Sequence, residues 1–127
     1  TDQIKLNISY SDRLIAIGLS DRQIGIDIEK IKLFKNLATI KTKFLTANEQ
    51  RIADNLSDSS YWMTQLWTLK ESYLKCSGLG ISYNLSKLDF SNSISGHMEK
   101  VFSPDIIFQS ITHDDKYVIS STLMRSS

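Results

Sequence analysis

Six consecutive residues, Ile24-Gly25-Ile26-Asp27-Ile28-Glu29, alternate an isoleucine with a glycine or an acid. A period of two marks a β-strand, because successive side chains leave opposite faces of the extended backbone. The three isoleucines therefore share one face, which suits a core. Gly25, Asp27 and Glu29 share the other, with the two carboxylates roughly 6–7 Å apart along the strand. Any fold built on this strand must bury one side and tolerate like charges on the other. Two readings of the acids stay open: an ordinary solvated face, or a cation site. Magnesium prefers oxygen ligands, often one or two carboxylates with substrate phosphates and water. Gly25 leaves room beside the acids for a phosphate or for another stretch of backbone.

The neighbouring sequence says what surrounds this strand. Lys5–Ser9 and Leu14–Leu19 also read as strands, punctuated by Ser11-Asp12 and Ser20-Asp21. Three short strands with tight links predict an antiparallel meander. Then the period changes. Leu33, Phe34, Leu37, Ile40 and Phe44 form a helical stripe. Thr46 followed by Glu49 is a capping-box pattern that starts a helix. Asp58, Ser59 and Ser60 can cap the next one, which carries Trp62, Leu66, Leu69 and Tyr73 and should end at Ser77-Gly78. Leu88–Phe90, Ile106–Ile111 and Tyr117–Leu123 return to strand, with a turn at Thr112–Lys116. The expected class is α+β, an antiparallel sheet packed against helices, with residues 1–127 as a single domain. A chain of 127 residues, 41% of them hydrophobic, can bury roughly two-thirds of its unfolded surface without staples.

Composition removes several function classes. The net charge is +1, with 15 basic and 14 acidic side chains, so no global field favours nucleic acid. Cys76 is the single cysteine, and His97 and His113 stand apart from any zinc spacing. No apolar run approaches a membrane span and no signal-peptide pattern opens the chain; the expected location is the cytoplasm. Neither Gly-x-x-x-x-Gly-Lys-Ser/Thr nor Gly-x-Gly-x-x-Gly occurs, which argues against the nucleotide folds that use those loops.

A second chemical motif is Trp67-Thr68-Leu69-Lys70-Glu71-Ser72-Tyr73-Leu74-Lys75. On a helix Glu71 and Lys75 share a face, one turn beyond Trp67. They can be a surface ion pair. They can equally supply a metal-binding or proton-accepting carboxylate and a cation for a phosphate, with Lys70 serving a second phosphate. Thr46 and Glu49 are explained by capping alone.

Taken in order, Gly-Ile-Asp-Ile-Glu, Phe-Leu-Thr-x-x-Glu and Trp-x-x-Lys-Glu-Ser-x-x-Lys resemble the 4′-phosphopantetheinyl transferase superfamily, and its Sfp-like branch more than the short holo-acyl-carrier-protein synthase branch. Asn7-Ile8-Ser9-Tyr10-Ser11 is similar to the family's Asn-Ile-Ser-His-Ser, with Tyr10 where the family has histidine. Gly78-Leu79-Gly80 resembles the end of the family's catalytic helix. The resemblance implies the family fold, present here as the second of the two similar halves of an Sfp-like enzyme. It implies transfer of the phosphopantetheine arm of coenzyme A to a serine of an acyl or peptidyl carrier protein, a holo-acyl-carrier-protein synthase type of reaction that releases adenosine 3′,5′-bisphosphate.

The same resemblance implies Mg²⁺ held by Asp27, Glu29 and Glu71. Glu71 is the first choice of proton acceptor and Glu29 the second, with Glu49 in support. Lys75 and Lys70 would face phosphates, and Ser9 and Tyr10 would touch coenzyme A. A site lacking its first half implies a homodimer or homotrimer, or a half on other polypeptide. The alternative is an incomplete or degenerate domain that binds carrier or coenzyme A without turnover. Lys30, Lys32, Lys35, Lys41 and Lys43 form an acid-free basic stretch that would suit an acidic carrier, or simply a solvated helix.

Overall fold

A computed structural model describes residues 3–32, 43–78, 85–91, 98–103 and 105–125. The expected helical stripe at 33–40, most of the basic stretch, Gly80, His97 and Pro104 lie outside these residues. The described elements are strands β1 (Lys5–Ser11), β2 (Leu14–Ser20) and β3 (Ile24–Lys30), helices α1 (Ala47–Asp54) and α2 (Ser60–Ser77), and strands β4 (Met98–Ser103), β5 (Ile106–His113) and β6 (Tyr117–Met124). Two antiparallel sheets result: a hairpin of β1 and β2, and a four-stranded sheet in the order β3-β6-β5-β4. The class is α+β, as expected.

The three-strand meander is corrected. β3 does not pair with β2; it pairs along its whole length with β6, from Ile24 opposite Leu123 to Lys30 opposite Tyr117. On its other edge, side chains of β1 stand where a strand backbone would. The Asn7 Oδ1 accepts from the Ile26 N–H at 2.8 Å, and the Ser9 Oγ accepts from the Ile28 N–H at 3.1 Å. These two polar side chains satisfy an edge that would otherwise be open to pairing. Leu88–Phe90 is also corrected: a short 3₁₀ turn at Leu85–Lys87 leads into irregular chain. Phe90 is fully buried there, edge-on to Phe108 with ring centroids 4.9 Å apart. β4 went unforeseen, its sequence lacking a clean apolar alternation.

α2 lies across the face of the sheet that carries Gly25, Asp27 and Glu29. The contact at Gly25 is backbone on backbone. A Cβ there would stand 2.0 Å from the Ser72 carbonyl oxygen and 2.5 Å from the Cys76 nitrogen. Beside it runs a buried polar seam. The Ser72 and Thr122 hydroxyls are 2.7 Å apart, as are those of Thr68 and Ser120, and the Gln65 amide donates to Ser110 at 3.1 Å. Leu66, Leu69 and Met63 fill the main core with Phe44, Leu45, Phe90 and Phe108. The opposite face of the sheet presents Ile26, Ile28 and Ile119 to Ala16 and Leu14 of the hairpin.

The ends of α2 follow from local chemistry. Asp58 accepts from the Ser60 N–H at 3.0 Å and from its hydroxyl at 2.6 Å. At the other end Gly78 takes φ 73°, and its N–H reaches the Leu74 carbonyl. The capping box is present: Thr46 accepts from the Glu49 N–H, and Glu49 accepts from the Thr46 N–H at 2.9 Å.

Glu49 then does more than cap. Its Oε1 is 2.6 Å from the Lys70 ammonium, and both side chains are fully buried. Lys70 also donates to the carbonyls of Phe44 and Leu85, and the Glu49 Oε2 accepts from the Phe90 N–H at 2.6 Å. One ion pair thus ties α1, α2, the chain at Phe44 and the 85–90 segment together.

Two outcomes follow. Gly25→Ala should destabilise the fold by about 3 kcal/mol or more, because backbone rather than a flexible side chain must move; chemical denaturation measures it. Glu49→Ala, which strands a buried ammonium, should cost about 3–5 kcal/mol. The double substitution Glu49→Leu/Lys70→Met should cost less than the single, since an apolar pair leaves no charge uncompensated.

Candidate active site

Strand alternation aims Gly25, Asp27 and Glu29 at α2, and the close contact at Gly25 decides which helix residues meet the acids. Glu71 and Lys75 lie on that side. The Lys75 ammonium donates to the Ile26 carbonyl at 2.9 Å and stands 3.5 Å from the Asp27 Oδ1. Glu29 and Glu71 are half-buried; Glu29 disfavours ionisation of both Asp27 and Glu71, and Glu71 that of Asp27.

Asp27 is the centre of this group. It is 5% exposed, and its Oδ1 accepts a 3.3 Å hydrogen bond from the Ser9 hydroxyl. Its Oδ2 is buried and, among the described residues, has no hydrogen-bond partner. Burial pushes the Asp27 carboxyl up to about 7, helped by Glu29 and then Glu71 and opposed by Lys75 and Ser9. Burial likewise raises Glu71, with Lys75 opposing and Glu29 adding to the rise.

This is a group of oxygen donors with too much negative charge for one lysine. Among the described residues no cluster of three His, Cys, Asp or Glu side chains is drawn together for a metal ion. The chemistry of the set nevertheless fits a hard divalent cation. Asp27 has a free buried oxygen, and the partly exposed Glu29 and Glu71 have side chains that can rotate toward it.

Other expected site residues stand elsewhere. Lys70 is corrected: it is fully buried, with Glu49 and two carbonyls as acceptors, and cannot reach a phosphate. Burial pulls its ammonium below the usual lysine range, against the pull of Glu49. Glu49 belongs to that structural knot and not to the acidic site. Ser9 is at the site, where its hydroxyl donates to Asp27 and accepts from the Ile28 N–H, and so holds the aspartate in place. Tyr10, expected to touch coenzyme A, lies on the other face of β1 from Ser9. The alternation of β1 turns Ser9 inward and Tyr10 outward, where it is 77% exposed and away from Asp27. Sequence reasoning missed the edge-satisfying role of Asn7 and Ser9; the signal was their spacing of two, opposite the backbone N–H groups of a strand with the same period.

The stretch of chain that holds these residues matches known proteins. A family model described as the 4′-phosphopantetheinyl transferase superfamily matches residues 23–122, from the start of β3 into β6. The 4′-phosphopantetheinyl transferase gsp of Aneurinibacillus migulanus is 39% identical over 82 residues, 61% of this chain and 33% of that protein. The 4′-phosphopantetheinyl transferase Sfp of Bacillus subtilis is 33% identical over 81 residues, 62% of this chain and 35% of its own length. An L-aminoadipate-semialdehyde dehydrogenase-phosphopantetheinyl transferase of Xenopus laevis is 27% identical over 113 residues, 80% of this chain and 37% of that protein. The chain thus spans about a third of the length of the curated relatives it matches. By the extent of the family match and the Sfp-like relatives that share it, the chain belongs to the 4′-phosphopantetheinyl transferase superfamily.

Proposed function

We propose that this chain transfers the 4′-phosphopantetheine arm of coenzyme A to a serine of an acyl or peptidyl carrier protein, with Mg²⁺, releasing adenosine 3′,5′-bisphosphate in a holo-acyl-carrier-protein synthase type of reaction. The observation that carries the reading is the unpartnered, buried Oδ2 of Asp27, set between two further carboxylates and one lysine. Asp27, Glu29 and Glu71 would hold the metal, which supplies charge neutralisation at the diphosphate when bound.

The chemical difficulty is a weak hydroxyl nucleophile approaching a negatively charged diphosphate. Lys75, anchored on the Ile26 carbonyl yet 32% exposed, can place its ammonium against phosphate oxygens as their charge grows. Glu71, whose carboxyl burial has raised above the ordinary range, is the better proton acceptor for the serine hydroxyl. Glu29 is the second candidate. Ser9, itself held by the Ile28 N–H, fixes Asp27 through Oδ1 and leaves Oδ2 without a hydrogen-bond partner among the described residues.

Binding without turnover is a second reading, favoured by one observation: the three acids of the described structure are not yet converged on a common point. The deciding experiment is to incubate the purified chain with coenzyme A, Mg²⁺ and an apo carrier protein and weigh the carrier. A mass gain of one phosphopantetheine arm is expected. Glu71→Ala should slow transfer by about 10²-fold or more while the protein stays folded; an unchanged rate removes Glu71 from the mechanism.

The raised Asp27 carboxyl gives a pH signature in metal-free protein. The unfolded chain releases this proton near 3.8, the native state near 7. Between those values the native state holds a proton that the unfolded state has lost, so stability falls as pH rises through that window. Asp27→Asn should therefore melt about 5–10 °C higher than the parent at pH 8 and nearly together with it at pH 4. Added Mg²⁺ should raise the melting temperature of the parent at pH 8 and leave that of Asp27→Asn unmoved.

A further inference from the structure

β1 carries its side chains in two sets. Leu6, Ile8 and Tyr10 point outward and are exposed, opposite Leu19, Ile17 and Ile15 of β2, so the outer face of the hairpin is apolar. Asn7, half-buried, and Ser9, buried, point inward to the edge of β3 that no strand pairs with. The inward spacing matches that edge. Asn7 and Ser9 are two residues apart, and so are Ile26 and Ile28, whose N–H groups they accept at 2.8 and 3.1 Å. Only an oxygen can accept from an N–H, so the bond to Ile26 also fixes which way the Asn7 amide faces.

The two side chains differ in what lies beyond them. The Ser9 hydroxyl touches the site directly, donating to the Asp27 Oδ1 at 3.3 Å. Asn7 makes no hydrogen bond to an acid or a lysine among the described residues. It holds Ile26, and Ile26 has a second task. Its N–H goes to Asn7, while its carbonyl accepts from the Lys75 ammonium at 2.9 Å. The outward backbone groups of one residue are thus divided between β1 and the lysine of the site. A strand gripped at one point can pivot or slide. Gripped at two points with the period of the edge it meets, it cannot.

We infer that Asn7 is a positioning residue: its amide oxygen fixes the register of β1 on β3, and through that register it sets Ser9 on Asp27 and steadies the carbonyl that anchors Lys75. Its consequence for metal binding rests on the reading of Asp27 as a metal ligand. Without Asn7, β1 is tied to this edge by the Ser9 hydroxyl alone, and the donor to Asp27 Oδ1 loses its fixed place. Partners one step removed from a metal site typically change its affinity by about 10- to 100-fold. An amide also suits the position better than an acid. Aspartate would accept the same N–H but add a fourth carboxylate to a group that already sets Asp27, Glu29 and Glu71 against one lysine.

Asn7→Leu keeps the approximate shape of the side chain and removes the acceptor. By magnetic resonance of metal-free protein, it should speed amide exchange at Ile26 and Ile28 by about 10-fold or more. It should also move the signals of the Asp27 carboxyl carbon and the Lys75 ammonium. By calorimetry it should weaken Mg²⁺ binding by about 10-fold or more. Ile8→Ala, on the outward face between the two gripping residues, should keep exchange and Mg²⁺ affinity within about 2-fold of the parent. Asn7→Asp, which restores the acceptor, should return Ile26 exchange to the parent rate. If Asn7→Leu fails to fold, the parent itself decides. There the Ile26 amide, on an edge without a paired strand, should exchange at least about 100-fold more slowly than an unstructured amide, and free exchange overturns the inference. Unmoved Asp27 and Lys75 signals in folded Asn7→Leu overturn it too, as do losses that Ile8→Ala reproduces. The metal reading is weighed separately. A parent that binds no Mg²⁺, while Asn7→Leu still displaces Asp27 and Lys75, removes the metal and upholds Asn7. Equal Mg²⁺ affinity in parent and Asn7→Leu overturns Asn7 and leaves the metal reading standing.

Discussion

Everything around the acidic group depends on the absence of one side chain. At Gly25 the backbone of α2 rests on β3 so closely that a Cβ would overlap the Ser72 carbonyl. Because the contact is backbone to backbone, it sets both the height of the helix above the sheet and its position along the strand. Two residues on from Gly25 comes Asp27, and at the C-terminal end of the helix comes Lys75, 3.5 Å away. A larger residue at position 25 would lift the helix and separate those charges. The glycine that seems to leave space for a ligand instead leaves space for a helix, and the helix brings the chemistry.

A single point of contact does not stop a helix from rolling or sliding, and the buried polar groups supply the rest. Hydrogen-bonded hydroxyls at Thr68–Ser120 and Ser72–Thr122 are directional, so they fix rotation where leucines would tolerate several packings. The Glu49–Lys70 pair works from the other side of the helix. Burying two charges is costly, and such a pair is weak as a source of net stability. Its value here is specificity: Lys70 has acceptors on three separate segments, and only one placement of α2 satisfies them together.

This explains what could be read from the sequence and what could not. The acids were legible because a strand of strict period two announces which residues share a face, and Asp27 and Glu29 do share one. The helix ends were legible because Thr46, Glu49, Asp58 and Gly78 have local reasons to be where they are. Lys70 was misread because nothing local distinguishes a lysine aimed at a phosphate from one aimed at a glutamate twenty-one residues upstream. The partner of β3 was misread for a similar reason. Short links favour pairing of consecutive strands, but here β6 claims one edge while Asn7 and Ser9 occupy the other, and both facts are long-range. Tyr10 was assigned its coenzyme A contact by motif position, and alternation along β1 places it on the other face from Ser9.

Asp27 shows why such a site must be held by more than its own strand. A carboxylate with a buried, unpartnered oxygen and acids beside it is a source of instability in the metal-free protein, and left alone it would swing outward to water. Three elements prevent this. β3 supplies the backbone, α2 supplies Lys75 and the roof, and β1 supplies the Ser9 hydroxyl that grips the other oxygen. The third is the weakest, because β1 is attached to β3 through side chains and not through a strand ladder. A hairpin so attached, with its outer face apolar, gains rigidity from whatever covers that face. The demand for a fixed Asp27 and the demand for a covered hairpin therefore fall on the same strand, and satisfying the second tightens the first.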